Sequence, residues 1–272
     1  DRPDLVWSAR NDGLNNGDSI LLGDPAHPGD LQAPPFVEPG RWLDRGSSIN
    51  AQQARIVDWD EDGEQDVVFL ANDAVVWRKG DGTGRVGDPQ VIDSRNGSTW
   101  CPNNGAGELA VKDLDGDGHL DLVCHSPGKV GMAWGAGPDQ PVTGVLLNDV
   151  EKTSNYNGFQ GIDLVDLDGN GKLDVVVPVF SGDFDEGSYG YVWFQGDSRS
   201  WPSTPAGAAM GSATALAVGN VDGDPEPELV ALIDRRKPAG GTTAESFDRF
   251  VTWSADGKGG LTEHVSDAVG AA

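Results

Sequence analysis

Positive charge is scarce in this sequence: 19 Lys and Arg stand against 44 Asp and Glu, a net charge of −25 over 272 residues. A polyanion is held by a basic footprint, so this balance argues against nucleic acid as a partner. Long apolar runs are also missing. No stretch approaches the roughly 18 residues that cross a bilayer as a helix, which excludes a transmembrane helix from this sequence. No basic opening leads into an apolar segment, so any secretory leader is expected to have been removed already. Cysteine occurs twice, at Cys101 and Cys124, without the Cys-x-x-Cys spacing of a thiolate zinc site. The pair is either one disulfide, if the protein is secreted, or two buried thiols. Catalytic signatures are thin. The sequence has no Gly-x-Ser-x-Gly elbow, Walker loop, His-Glu-x-x-His pair or dinucleotide fingerprint, and only four histidines.

Turn formers are plentiful. With 39 Gly and 17 Pro, beside many Asn and Asp, the composition suits an all-β chain of short strands and tight turns. Nine Trp and recurrent Val/Leu/Ile clusters are too much apolar surface to leave in water, which excludes a disordered chain.

Four segments align without gaps. They are Asp58-Trp-Asp-Glu-Asp-Gly-Glu-Gln-Asp66, Asp113-Leu-Asp-Gly-Asp-Gly-His-Leu-Asp121, Asp166-Leu-Asp-Gly-Asn-Gly-Lys-Leu-Asp174 and Asn220-Val-Asp-Gly-Asp-Pro-Glu-Pro-Glu228. Their starts lie 55, 53 and 54 residues apart. Apolar or alternating stretches flank each, such as Ala54–Val57 before the first and Val67–Leu70 after it, so each unit reads as strand, acidic loop, strand. One or two further short strands follow, the third ending in Trp77, Trp134, Trp193 or Trp253. Four strands per unit of this length is the pattern of a β-propeller blade. A partial copy, Asp4-Leu-Val-Trp7, begins at a second strand. The expectation is one domain over residues 1–272 with five four-stranded blades, units starting near 1, 54, 109, 162 and 215. The tail at 266–272 would complete the first blade, hiding both free edges.

The nine-residue loops place oxygens at positions 1, 3, 5 and 9, with the position-7 carbonyl available. An all-oxygen set of that number suits calcium. An EF-hand would need flanking helices and a Glu at position 12, and neither is present. The candidate ligands are Asp58, Asp60, Asp62, Glu64 and Asp66; Asp113, Asp115, Asp117, His119 and Asp121; Asp166, Asp168, Asn170, Lys172 and Asp174; and Asn220, Asp222, Asp224, Glu226 and Glu228. The position-7 residues Glu64, His119, Lys172 and Glu226 enter through their carbonyls. Three sites are expected, with a fourth in the divergent last loop. Four divalent ions add eight positive charges, taking the net charge from −25 to −17.

These repeats resemble the FG-GAP/VCBS repeat family, which includes integrin α-subunit propellers, propeller lectins and propeller modules of secreted enzymes. The resemblance implies a secreted or cell-surface β-propeller with calcium at these aspartates. It does not specify an activity.

In a four-stranded blade the 1–2 loops lie at one end, and the 2–3 and 4–1 connections at the other. The variable sequence falls at that other end, where function concentrates. Trp100, Tyr156, Phe184 and Tyr189 offer flat apolar faces; Asn103, Asn104, Asn155, Asn157 and Asp183 offer directional hydrogen bonds. Sugars need both. Arg235 and Arg236, with Lys237, form the basic cluster that would meet an anionic group. The reading is lectin-like binding of a carbohydrate or glycoconjugate. Two rivals remain: a lyase- or glycosidase-type enzyme using His125 with Asp183, Asp185 or Glu186, and a protein-adhesion module. The Trp77, Trp134, Trp193 and Trp253 series is read as packing between blades.

Overall fold

The computed structural model describes residues 53–71, 74–83, 85–94, 98, 100–101, 107–126, 129–138, 142–147, 161–179, 188–196, 199–213, 215–236 and 245–268. For 126, 234–236, 245–248 and 267–268, and for residues 5–8, 18–23 and 31–32, the description covers the backbone alone. Strands β1 (Leu5–Ser8), β2 (Asp18–Gly23) and β3 (Leu31–Gln32) make a three-stranded sheet. Four four-stranded sheets follow. They are β4 (Gln53–Val57) to β7 (Gln90–Ser94) through β5 (Asp66–Leu70) and β6 (Ala74–Arg78), then β8 (Glu108–Lys112), β9 (Asp121–Ser126), β10 (Lys129–Trp134) and β11 (Thr143–Leu147). Next come β12 (Asp163–Val165), β13 (Asp174–Val179), β14 (Ser188–Trp193) and β15 (Ala206–Gly211), and last β16 (Ala217–Gly219), β17 (Glu228–Arg236), β18 (Glu245–Ala255) and β19 (Leu261–Ala268). Each sheet is a meander in chain order, and no α-helix occurs among the described residues. Among those residues no helix is long and apolar enough to cross a membrane.

The acidic loops fall where the repeats put them. Val57 pairs with Asp66, Val165 with Asp174 and Gly219 with Glu228, so in these three sheets the residue before position 1 faces position 9 across an antiparallel pair. The central strands carry unbroken apolar runs and are buried on both faces, as β5, β6 and β13 show. The fourth strands β7 and β11 are largely exposed and more polar.

The chain divides into two compact units, residues 1–111 with 118–146 and residues 112–117 with 147–272. In the first, Val68, Leu70, Val75 and Trp77 of one sheet pack with Leu109, Leu122, Cys124 and Ala133 of the next. In the second, Val176, Val192 and Met210 pack with Leu229, Ile233, Val251 and Trp253. Trp77, Trp134, Trp193 and Trp253 all lie in third strands and all are buried. Trp77 and Trp253 each belong to a core shared by two consecutive sheets, the role expected for this series. The segment expected to close the first sheet begins inside β19: Ser266–Ala268 end that strand, with Ala268 opposite Arg249. Val269–Ala272 lie outside the described residues.

Cys101 and Cys124 form a disulfide, Cα to Cα 5.4 Å, which settles the choice between a bridge and two thiols. Both half-cystines sit in the first core, and Trp100 lies beside them, 3% exposed. Two glycines make room for that tryptophan: a Cβ at Gly131 would run into the Trp100 carbonyl, and one at Gly144 into its ring. The bridge closes a sequence separation of 23 residues. Replacing both cysteines by alanine is expected to cost about 3 kcal/mol by the loop-entropy relation. Urea denaturation of the double variant against the oxidised protein measures it; an unchanged midpoint would show the bridge to be thermodynamically idle.

Candidate metal centres

The four loops are shaped first by their own side chains. In the first, Asp58 accepts from the N–H groups of Asp62 and Gly63, and Asp62 accepts from that of Glu64. In the second, Asp113 accepts from Gly116 and Asp115 from Asp117. In the third, Asp166 accepts from Asn170 and Gly171, and Asn170 accepts from Lys172. In the fourth, Asn220, Asp222 and Asp224 accept from Gly223, Asp224 and Glu226. Such local bonds fold the backbone into a tight coil in which the odd-numbered positions share one side. The coil needs a left-handed residue at position 4. Gly116, Gly169 and Gly223 supply it at φ of 76°, 70° and 91°, while Glu61 holds φ 60° without being glycine.

Carboxylate oxygens converge as a result. Within each loop, three carboxylates each offer an oxygen within 4.8 Å of the others: Asp58, Asp60 and Asp62; Asp113, Asp115 and Asp121; Asp166, Asp168 and Asp174; Asp222, Asp224 and Glu228. Like charges held this close repel unless a cation joins them. Two oxygens in these groups have no partner in the protein. Glu228 is 3% exposed and its Oε1 accepts no hydrogen bond; Asp60 Oδ1 is likewise buried and unsatisfied. A buried carboxylate oxygen without a donor is costly, and a hard cation is what would satisfy it. The donor set therefore fits a metal ion in the divergent fourth loop as in the other three.

Position 9 has a second duty. Asp66, Asp121 and Asp174 are fully buried. Asp66 accepts through Oδ2 from Trp59 and Asp60 N–H in its own loop, and through Oδ1 from Gly80 N–H beyond the third strand, at 2.7 Å. Asp121 accepts from Gly135 at 2.8 Å. Asp174 accepts from Leu167 at 2.9 Å and from Gln195 at 2.8 Å. Glu228 accepts from Val221. Asp66 stands outside the converging group of its loop, whereas Asp121, Asp174 and Glu228 belong to theirs. Burial raises the carboxyl pKa of Asp66, and that of Asp174 to about 7, against the lowering effect of their backbone donors.

Position-7 side chains make contacts outside the converging carboxylate groups. Glu64 covers Gly82 and Glu226 covers Gly169. His119 meets Glu61 of the preceding loop, and Lys172 donates to the Gly196 carbonyl. Asn220 uses its amide on the Asp224 carbonyl.

Two cations that sequence reasoning missed enter the loops. The Lys79 ammonium lies between Asp60 and Asp62, 2.6 Å from the latter. Arg199 donates through Nε to Asp115 and through Nη2 to Asp117 at 2.8 Å. Hydrogen bonds from Lys79 hold Asp62 below the usual carboxylate range, while Asp60 and Asp62 raise the lysine above the usual amine range. The available signal was topological: in a meander, the 3–4 connections that carry both residues return to the end where the 1–2 loops lie.

A family model described as an FG-GAP-like repeat matches residues 58–124 and 113–177, each match running from one acidic loop through the next to its second strand. Residues 58–177 are therefore FG-GAP-like repeats. These FG-GAP repeats contain the first three acidic loops; the fourth lies beyond the matched residues. No curated protein sequence matches the chain. Among solved structures, the chain is similar to an Agrocybe aegerita lectin described by its specific recognition of non-reducing terminal N-acetylglucosamine. The two are 12% identical, with 97% of this chain and 80% of that one covered and a TM-score of 0.45.

The residues expected at the opposite end of the repeats divide three ways. Trp100 is a core residue, which corrects its reading as an open platform: it is buried in the cluster that holds the disulfide, with Gly144 against its ring and Gly131 against its carbonyl. His125, in β9, is 1% exposed, and burial draws its imidazole down to about 4. It is neutral at pH 7 and shut away from solvent, unlike the accessible acid–base group an enzyme reading needs. Tyr189 is half-buried in β14 and stacks on Tyr191, centroids 5.7 Å apart and planes 17° apart; Tyr191 leans on Trp193 at 6.4 Å. Period-two spacing of Tyr189, Tyr191 and Trp193 was the sequence signal for that ladder. Asn103, Asn104, Asn155, Tyr156, Asn157, Asp183, Phe184, Asp185, Glu186 and Lys237 lie outside the described residues, as do the side chains of Arg235 and Arg236.

Asp174 gives these loops a signed pH dependence. Its folded-state pKa is raised, so its contribution is fully present below about pH 4 and is lost as pH rises through about 7. Thermal melts of the chelated protein across pH 4–7 are expected to show this fall. Asp174→Asn should flatten the slope, on top of a pH-independent loss from its weaker backbone acceptor. An equally steep slope in the variant would assign the effect to other groups.

Proposed function

We propose that this chain is a secreted, calcium-stapled β-propeller that binds carbohydrate through the end of its blades opposite the acidic loops. The observation that carries the reading is the polarity of the repeat. Every four-stranded sheet commits its 1–2 loop to a converging carboxylate group, leaving the other end free to vary. Toward that other end, at the start of β14, stands the half-buried stack of Tyr189 and Tyr191. Flat aromatic faces stack on the CH faces of a sugar ring. Asn103, Asn104, Tyr156, Asn157, Arg235 and Arg236 are proposed as the surrounding polar and stacking groups. The sheets would close as five blades of one propeller. The disulfide suits an oxidising compartment outside the cytosol.

Calcium would be held by the three carboxylates of each group, together with the position-7 carbonyls of Glu64, His119, Lys172 and Glu226. The metal would supply structural neutralisation and no chemistry of turnover. An ion present at about 100 times its Kd adds about 2.7 kcal/mol per site. Tm is therefore expected to climb with calcium concentration and to fall on chelation; a Tm indifferent to both removes the staple from this account.

For the ligand, the calcium-loaded protein on a glycan array is expected to bind a related set of sugars saturably. Tyr189→Ala should weaken that binding about three- to tenfold, the worth of one aromatic stacking contact, with little change in Tm. A blank array with an intact protein partner in pull-down would favour the adhesion reading, and unaltered affinity in the variant would move the site off β14.

A further inference from the structure

We propose that Lys79 and Arg199 are resident counter-cations of the first two acidic loops, seated where a metal ion would bind and lowering those loops' affinity for calcium relative to the third and fourth. The inference rests on the metal reading above and adds an order among the sites.

The ammonium of Lys79 contacts Asp60 and Asp62, two of the three carboxylates that converge in the first loop. Arg199 bridges Asp115, a member of the second loop's group, and Asp117 at position 5. The third and fourth loops are furnished differently. Position 5 of the third is Asn170, neutral, its amide donating to the Gln195 carbonyl. In the fourth, Glu228 Oε1 lacks any donor, as Asp60 Oδ1 does in the first, but among the described residues no ion pair is made by Asp222, Asp224 or Glu228.

Both cations are placed by the backbone. Gly80, next to Lys79, is bound to Asp66 and packed so closely on the Gln65 carbonyl that a Cβ would overlap it, so the lysine starts from a fixed point beside the loop. Gly135 and Gln195 make the same bond to Asp121 and Asp174 in the next two sheets. The residues preceding them are Trp134 and Phe194, so the lysine is peculiar to the first loop. Arg199 reaches the second loop from a left-handed backbone, φ 61°, a conformation that persists in a non-glycine residue when its surroundings hold it there.

A divalent ion entering either loop must repel or expel the resident cation and lose its ion pairs. At separations of a few ångströms between like charges, that penalty corresponds to about tenfold in affinity for a partly solvated site. Conversely, each of these two loops keeps one compensating positive charge when calcium is withdrawn.

Calorimetric titration of the chelated full-length chain with calcium chloride tests this. Lys79→Met and Arg199→Met are each expected to tighten one site about tenfold and to lower the Tm of the metal-free protein. Lys79→Arg keeps the charge and should titrate like the unaltered chain. Lys129→Met, the same charge change at the start of β10 and so at the end of its sheet opposite the acidic loop, should leave the affinities within about twofold. Unchanged affinities in the Lys79→Met and Arg199→Met variants, or an equal gain in Lys129→Met, would overturn the inference while leaving calcium binding intact. If none of the proteins takes up calcium, by heat or by metal analysis, the metal reading itself falls and this inference with it.

Discussion

A buried carboxylate at the first residue of a second strand holds each repeat together. Asp66 and Asp174 each reach two places at once, the backbone of the acidic loop and the backbone beyond the third strand, with Asp121 making the second of these bonds in its own sheet. Such a group is expensive to desolvate, and its backbone donors offset that cost only if their positions are fixed. Loop geometry, strand register and the close approach of Gly80 and Gly135 to their neighbouring carbonyls all serve that one requirement. In the divergent fourth repeat Glu228 keeps a single bond to Val221, and one of its oxygens is left unsatisfied.

Charge is thus distributed with a purpose at the loop-bearing end. Carboxylates gather there, and the chain answers part of that repulsion from its small stock of cations. Contacts also run from loop to loop. Glu61 of the first meets His119 of the second, and Glu226 of the fourth lies over Gly169 of the third. Glu61 accepts a backbone conformation normally left to glycine, and its side chain is the one that makes the contact with His119. Local strain and a longer-range contact coincide in one residue.

The repeated features were legible in the sequence because each is written four times in local chemistry. Loop boundaries, the strands on either side, the third-strand tryptophans and the convergence of odd-numbered acids all follow from spacing within a few residues. The disulfide was legible as one of two choices. What the sequence hid depends on side chains far apart in the chain. Nothing in the local pattern ties Arg199 to Asp115, and a tryptophan in a loop rich in Asn and Ser looks like a binding platform. Trp100 is buried because its neighbour is a half-cystine in the core, and two glycines elsewhere make room for it. His125 misled similarly: its position near the variable end said nothing of its burial in β9. Tyr191 lies inside β14, where an aromatic side chain reads as packing and not as part of a stack with Tyr189.

The clamp between loop and third strand also has a mechanical meaning. A carboxylate at the head of the second strand ties segments on both sides of it, so tension applied along the third strand reaches the loop without passing through the interstrand ladder alone. The β4–β7 and β12–β15 sheets are cross-braced in this way at the end that carries the acidic loop. Under load, a sheet built this way peels from its unbraced end, and the braced end is the last to part.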